Sequence, residues 1–466
     1  MGFPEGGADE PLTPAGRLFH QKDTVQVVHC AIGMKNPIDV DAVKASIESS
    51  VMLKHPRFRS LLVRDSRGLE HWRGTEVTVD NHFIVVDEPI AGAAAEDHEA
   101  AVNEYLADLS MTPEMSTDKP LWEIHVLRAH ACVILRIHHS LGDGISLMSM
   151  FLAACRKADD PDALPAVPTR KRVSGEGRSL SLRESAAKLL QMVWFTIVFV
   201  VGFLMRSMWM KDLKSPISGG DGVELWPRKL ATARFWLDDM KQAKRAVAGA
   251  TINDVLFSIL SMGLSRYLVG KEPSSTLAGL QMTGVAMVNL REQPGLHEFA
   301  KMSTDTIPAR RWGNRFGITL LPLRYCKSGS DPVDHLREAK RMLDRRKNSL
   351  EAYFSYWIGD LVMSCFGAKL ASVLNKRIIC NTTFTISNVV GPQERIAYLG
   401  NPITYIRANS CALPHALTMH MVSYADRADL QILVAKDIIP DPDFLARCFE
   451  DALLEMKEAA AGIIQD

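Results

Sequence analysis

Apolar residues along this chain switch between two spacings, and the switches mark out its elements. Residues 24–32, 123–127 and 131–137 are short runs of apolar and β-branched side chains, the pattern of buried strands. A brief turn separates the last two, which predicts a hairpin. Val40, Val43, Ile47 and Val51 recur at helical spacing, so a helix is expected over 40–53. Another is expected over 143–156, with Ile145, Met148, Phe151, Leu152 and Cys155 on one face; methionines in such a stripe are ordinarily core.

From residue 158 to 180 the periodicity dissolves into Asp-Asp-Pro, Leu-Pro and Val-Pro steps, a basic Arg170-Lys171-Arg172 and Gly175-Glu176-Gly177, which reads as a linker. The pattern resumes with Arg234-Phe235-Trp236-Leu237 and a helix over 238–248. Thr251-Ile252-Asn253-Asp254 then precedes an apolar helix over 255–268. Thr at the N-cap and Asp at N3 make a near capping box, so this motif is read as a helix start. Residues 284–288 and 382–390 are strand-like, and in the second run Thr383, Thr385 and Ser387 share one face while Asn388 ends the strand beside Gly391-Pro392.

One stretch fits neither a strand nor an amphipathic helix. Residues 189–205 run for seventeen positions without a charge between Lys188 and Arg206. A bilayer-crossing helix needs ~20 apolar residues, with ~17 at the low limit. Membrane contact is the preferred reading, and a helix buried against the protein's own surface is the alternative. Trp194 and Trp209 near its ends suit interfacial anchoring or packing, and basic residues on both sides leave orientation open.

Composition narrows the picture further. A chain of 466 residues, 47% hydrophobic, is long enough for two cores and is expected to form two domains. Fifty-four basic and 54 acidic residues give zero net charge and no general nucleic-acid footprint. The eight cysteines show no Cys-x-x-Cys spacing, which suits free thiols in a reducing compartment. Met1-Gly2-Phe3-Pro4-Glu5-Gly6 lacks the basic start and apolar run of a signal peptide, and the Ser or Thr of a myristoylation motif.

The chemistry is concentrated where the 131–137 strand ends, at His138-His139-Ser140-Leu141-Gly142-Asp143-Gly144. The two glycines supply backbone freedom for a turn between strand and helix. Neighbouring strand residues point to opposite faces, so one histidine faces a substrate and the other does not, which disfavours a two-histidine metal site. A neutral imidazole, with a pKa near ~6.5, accepts a proton from an alcohol at cellular pH and returns it later. His139 is the expected general base. Asp143 either orients the ring or fixes the turn as a helix cap; a core histidine with a capping aspartate is the bland alternative.

His-His-x-x-x-Asp-Gly resembles the signature of chloramphenicol-acetyltransferase-like acyltransferases. Together with Pro120-Leu121-Trp122-Glu123-Ile124-His125, Asn253-Asp254, Asn289-Leu290-Arg291 and Ser387-Asn388-Val389-Val390-Gly391-Pro392, it is similar to the wax ester synthase/diacylglycerol acyltransferase family of plants and bacteria. The Asp-Phe-Gly-Trp-Gly block of plant BAHD acyltransferases is absent. The resemblance implies an α/β fold of two chloramphenicol-acetyltransferase-like domains, mixed sheets flanked by helices, with an active-site tunnel at the domain interface. The expected divisions are 1–157, a linker with the apolar segment at 158–230, and 231–466.

The resemblance also implies a function. Acyl-CoA is the co-substrate, a long-chain alcohol or diacylglycerol the acceptor, and no bound cofactor, metal or acyl-enzyme is needed. His139 is the base, with Asp143, His138 and Gly144 completing the motif. Lys54-His55-Pro56-Arg57-Phe58-Arg59 resembles a block whose last arginine pairs with the motif aspartate, which makes Arg59 the expected partner of Asp143. Asn388 and Ser387 are the oxyanion or tunnel candidates. An endoplasmic-reticulum membrane enzyme with cytosolic catalytic domains is the expected setting, with the plasma membrane as the alternative. Two rivals are an acyltransferase of the same superfamily acting on a soluble alcohol or phenolic acceptor, and a non-catalytic membrane lipid-binding protein. If residues 189–205 crossed the bilayer once, His139 and Asn388 would lie on opposite sides of it. The segment is therefore expected to lie in the interface or to dip in and return, delivering lipid to the tunnel mouth.

Overall fold

The computed structural model describes residues 9–90, 97–166, 182–290, 312–327 and 329–465. Three sheets organise them. A small antiparallel sheet joins β1 (Glu10–Pro11), β3 (Ser60–Arg64) and β4 (Glu70–Gly74). A seven-stranded mixed sheet has the order β5 (Phe83–Val86), β6 (Trp122–Leu127), β7 (Cys132–His138), β2 (Val27–Met34), β14 (Asn401–Ser410), β13 (Ile396–Tyr398) and β8 (Arg156–Lys157). A six-stranded mixed sheet has the order β11 (Phe316–Arg324), β10 (Gln281–Asn289), β12 (Phe384–Val390), β15 (Leu417–Tyr424), β16 (Arg427–Ala435) and β9 (Arg228–Trp236).

The helices cover these sheets. In the first half they are α1 (Pro14–Leu18), α2 (Val40–Ser49), α3 (Val51–Lys54), α4 (His98–Leu109) and α5 (Gly144–Ala154). α6 (Leu182–Met208) carries the charge-free run. After it come α7 (Leu237–Arg245), α8 (Ile252–Val269), α9 (Ser274–Leu277), α10 (Pro332–Lys347), α11 (Glu351–Cys380) and α12 (Pro442–Gln465). The helix expected over 40–53 is two helices. The Ser50 hydroxyl accepts from Leu53 N and restarts the chain as α3, so a local side-chain cap overrides the continuous apolar spacing. The near capping box at Thr251 is a full one, with Asp254 bonding back to Thr251 N at 2.6 Å. The thirty residues of α11 were not foreseen as a helix; its apolar positions include an outward stripe rather than a single core face.

The six-stranded sheet has two unlike faces. One buries Ile386, Met419, Met421, Leu430 and Ile432 under α8 and α12. The other is set by direct register: Ser387 pairs with His420, His420 with Gln431, and Gln431 with Thr232, so these four form one row. That row faces the first half of the chain, because α4 reaches it through Asn103, whose amide donates to Thr232 at 3.0 Å.

The two halves are also interlocked. β13 and β14 follow β12 in sequence yet complete the first sheet, β14 pairing with β2 from Ile403 opposite Met34 to Ser410 opposite Val28. The division expected between 157 and 231 is thus crossed in space by residues 396–410. Arg407 of β14, 1% exposed, bonds Asp429 of β16 at 2.7 Å and Glu99 of α4. Removing one partner of a buried pair like this typically costs ~3–5 kcal/mol.

Candidate active site

β7 delivers both histidines of the motif and its end sends them apart. His138 turns inward: it is buried, its Nδ1 lies 2.7 Å from Ser140 Oγ, and its ring stacks on His20 at 4.1 Å. His139 turns out of the strand, its amide donating to Gln26 O at 2.9 Å. Its ring sits against Phe19, centroids 4.5 Å apart, with Phe316 at 6.0 Å.

A segment distant in sequence fixes this ring. Asn314 Nδ2 donates to the His139 carbonyl at 2.7 Å, which sets the amide orientation and leaves Oδ1 facing His139 Nδ1 at 3.0 Å. An amide oxygen only accepts, so Nδ1 carries the proton and Nε2 presents a lone pair. Burial holds the His139 pKa below its usual value, partly offset by its own backbone and by Asn314, so the ring is neutral. A neutral, single-tautomer imidazole with Nε2 available is the required state of a general base.

The motif aspartate ties the same segment down. Asp143 caps α5, one carboxylate oxygen accepting from Ser146 N at 3.0 Å and the other from Arg315 N at 3.3 Å. Trp312 Nε1 donates to Leu141 O at 2.6 Å, and its ring lies so close to Gly142 that a Cβ there would sit 3.1 Å from it. Gly142 is therefore needed for close approach. Gly313 has φ 103°, a conformation glycine adopts without strain, and lies against the buried Arg57 guanidinium. The Pro56–Arg59 turn thus packs on the 312–316 segment through Arg57, while Arg59 is half-buried at its end.

The oxyanion candidates separate by strand alternation. Val389 shares a face with Ser387 and reaches towards Gly144, where a Cβ would meet Val389 Cγ2 at 3.4 Å. Asn388 lies on the opposite face, its Nδ2 donating to Asn253 Oδ1 at 2.7 Å. Asn253 and Asn388 thus clasp α8 to β12, and Ser387 is the member of the pair on the side of the motif turn. Arg291 lies outside the described residues.

Two contributors escaped the sequence reading. Asn314 stands in an unremarkable Trp-Gly-Asn loop and its role depends on a contact 175 residues away. His420 is the other. It pairs with Ser387 across β12 and β15, its Nε2 lies 3.1 Å from Ser410 Oγ, and its Nδ1 has no hydrogen-bond partner among the described residues. Burial, with a smaller repulsion from His139, lowers its pKa to about 4. Strand alternation alone placed 420 on one face or the other without saying which face met the first half.

Beyond Asn314 and Phe316 opens an apolar cavity of about 380 Å³ walled by α1, α6 and α11, with Leu18, Phe203, Ile358 and Met363 in its lining. Its size falls in the range of roughly 300–1,000 Å³ usual for small-molecule sites.

The site's surroundings match known proteins along nearly the whole chain. The sequence model of the wax ester synthase/diacylglycerol acyltransferase catalytic domain matches residues 24–256, and that of the WS/DGAT C-terminal domain matches 312–457. Wax ester synthase/diacylglycerol acyltransferase 5 of Arabidopsis thaliana is 34% identical over 96% of this chain and 93% of its own length. Wax ester synthase/diacylglycerol acyltransferase 11 of the same plant is 34% identical over 98% and 96%. Among solved structures, the wax ester synthase/diacylglycerol acyltransferase from Marinobacter aquaeolei VT8 superposes with a TM-score of 0.61 at 16% identity, covering 97% of this chain and all of that one. The first condensation domain of the CDA synthetase superposes with a TM-score of 0.57 at 14% identity, covering 98% and 97%. The fold is the condensation-type α/β fold, and the chain belongs to the wax ester synthase/diacylglycerol acyltransferase family of acyltransferases.

Proposed function

We propose that this protein moves a long-chain fatty acyl group from acyl-CoA to a fatty alcohol, to diacylglycerol, or to both, at the cytosolic face of the endoplasmic reticulum membrane. The observation that carries this reading is the His139–Asn314 pair, a neutral imidazole held by a residue that also lines the apolar cavity, a space suited to an aliphatic acceptor.

His139 Nε2 takes the acceptor's hydroxyl proton as its oxygen attacks the thioester carbonyl, forming the ester C–O bond and a tetrahedral oxyanion. Ser387 on β12 is the side-chain donor we assign to that oxyanion, with backbone amides able to serve beside it. Collapse breaks the C–S bond, and the imidazolium returns the proton to the sulfur, releasing free CoA and the ester. Every proton is returned, so no resident metal or cofactor enters the balance. Asp143 acts through Arg315 N and the α5 cap, holding the loop that holds the ring, and Arg59 is proposed as its charged partner. Incubating membranes with palmitoyl-CoA and either hexadecanol or diacylglycerol tests the reading. Acceptor-dependent thiol release with formation of the matching ester is expected; no release with either acceptor contradicts it.

A further inference from the structure

Two helices of membrane-scale length leave an apolar face uncovered. The most apolar stretches of α6 and α11 are only 6% and 17% buried, whereas α8, also long and apolar, is 67% buried and belongs to the core. On α6, Leu190, Trp194, Ile197, Val201 and Leu204 recur at helical spacing and are exposed. On α11, Tyr353, Trp357 and Leu361 form a matching stripe before a bend at Gly367, and Leu370 and Val373 are exposed beyond it. The two helices lie side by side: Thr196 Oγ1 accepts from Leu350 N, at the N-cap of α11, at 3.0 Å, and the rings of Phe203 and Phe354 meet edge to face with centroids 6.4 Å apart. An exposed apolar area of this extent marks an interaction surface.

The strand pairings decide how a bilayer is met. If α6 alone crossed, β2 and β14 would be separated by the membrane, yet they pair. If α11 alone crossed, β10 and β12 would be separated, yet they pair. If both crossed, β9 would be parted from β16, and these also pair. Neither helix crosses. The cavity that Asn314 lines lies between them, and Leu204, in its lining, belongs to the exposed stripe of α6. Lys211, Lys214 and Lys369 are exposed nearby and suit anionic headgroups.

We propose that α6 and the bent α11 together dock on a lipid bilayer without crossing it, and that the acceptor passes from the bilayer through the cavity between them to His139. The entry route rests on the acyl-acceptor reading above; the docking surface does not. Its test is flotation of the full-length protein with phosphatidylcholine vesicles, with and without phosphatidylserine, alongside ester synthesis on vesicle-borne diacylglycerol and on water-soluble hexanol. Trp194→Glu and Trp357→Glu should each weaken flotation by about 10-fold or more, since a large apolar side chain loses its buried area. They should slow vesicle-borne acylation comparably and leave hexanol acylation near wild type. Unchanged flotation overturns the docking surface, and equal losses on both acceptors overturn the entry route. Should either variant fail to fold, quenching by brominated lipids decides: Trp194→Phe and Trp357→Phe each reduce the quenched share if the two rings sit in lipid, and leave it unchanged if they do not. A wild-type protein that floats but acylates neither acceptor removes the chemistry and keeps the surface.

Discussion

Under the proposed mechanism the most consequential residue besides His139 is Asn314, because it fixes the tautomer of the ring assigned as the base. Asn314→Ala removes the group that holds Nδ1–H and should lower kcat on the order of 10²-fold, within the range general-base catalysis supplies, with KM little changed. Asn314→Asp gives a different signature. A carboxylate beside Nδ1 stabilises the imidazolium and raises the His139 pKa, so the acid limb of kcat/KM against pH should move upward. In the wild type the pKa is lowered by burial, so that limb should lie below ~6.5 and activity should be flat through neutral pH. A pH profile with its acid limb above that value contradicts the neutral-base assignment. His139 was legible in the sequence as the candidate base because strand, glycine turn and helix cap are local signals. It concealed Asn314 and His420, whose roles depend on which strand face meets the other half.

Histidines also set the stability profile. His29, His55 and His415 are buried neutral, with pKa values pushed by burial to about 3 from the ordinary ~6.5. Their folded pKa values lie below the unfolded ones, so the unfolded chain binds more protons as pH falls. Stability is therefore complete above ~6.5 and declines by up to ~1.4 kcal/mol per pH unit per histidine as pH falls towards 3. Denaturant midpoints measured between pH 7 and pH 5 should fall; a constant midpoint contradicts the buried neutral assignment.

At the scale of elements, the motif turn and the 312–316 segment form one unit through Asp143. Asp143→Ala leaves Ser146 N and Arg315 N without their acceptor and should lower both melting temperature and activity, by roughly 2–4 kcal/mol of stability. If Arg59 pairs with it, the Asp143→Ala/Arg59→Ala double variant loses less than the sum of the singles. Additive losses in thermal melts would separate the two residues. α6 is pinned at its C-terminal end, where the half-buried Asp212 bonds Arg206 at 2.8 Å, Thr283 N at 2.6 Å and Thr383 at 2.7 Å. The charge-free run of α6 was plain in the sequence because nothing polar interrupts it. α11 was not, since its outward and inward apolar residues together show no single periodic face.

For the molecule as a whole, the fold class was legible through the order of its motif blocks, but the way the halves join was not. Residues 396–410 leave one sheet to complete the other, and sequence adjacency gives no hint of such an exchange. The consequence is a candidate site assembled from both halves: His139 comes from the first half, and Asn314, Ser387 and His420 from the second. Arg407→Ala removes the buried guanidinium between Asp429, which keeps Arg427 at 2.6 Å, and Glu99, which keeps Arg234 at 2.6 Å, so it should cost up to ~3 kcal/mol, the low end of the range for breaking a buried pair, and lower activity in proportion to the folded fraction.

The central claim is that one acceptor-dependent acyl transfer proceeds from the His139 imidazole without a covalent intermediate. Free-thiol release from palmitoyl-CoA, measured with and without hexadecanol or diacylglycerol for wild type and for a folded His139→Ala variant, tests it most directly. Release in the wild type only when an acceptor is present, and a loss of about 10²-fold or more in the variant, is the predicted result. Wild-type turnover by His139→Ala, or a burst of thiol with labelled acyl group left on the protein when no acceptor is present, would contradict it.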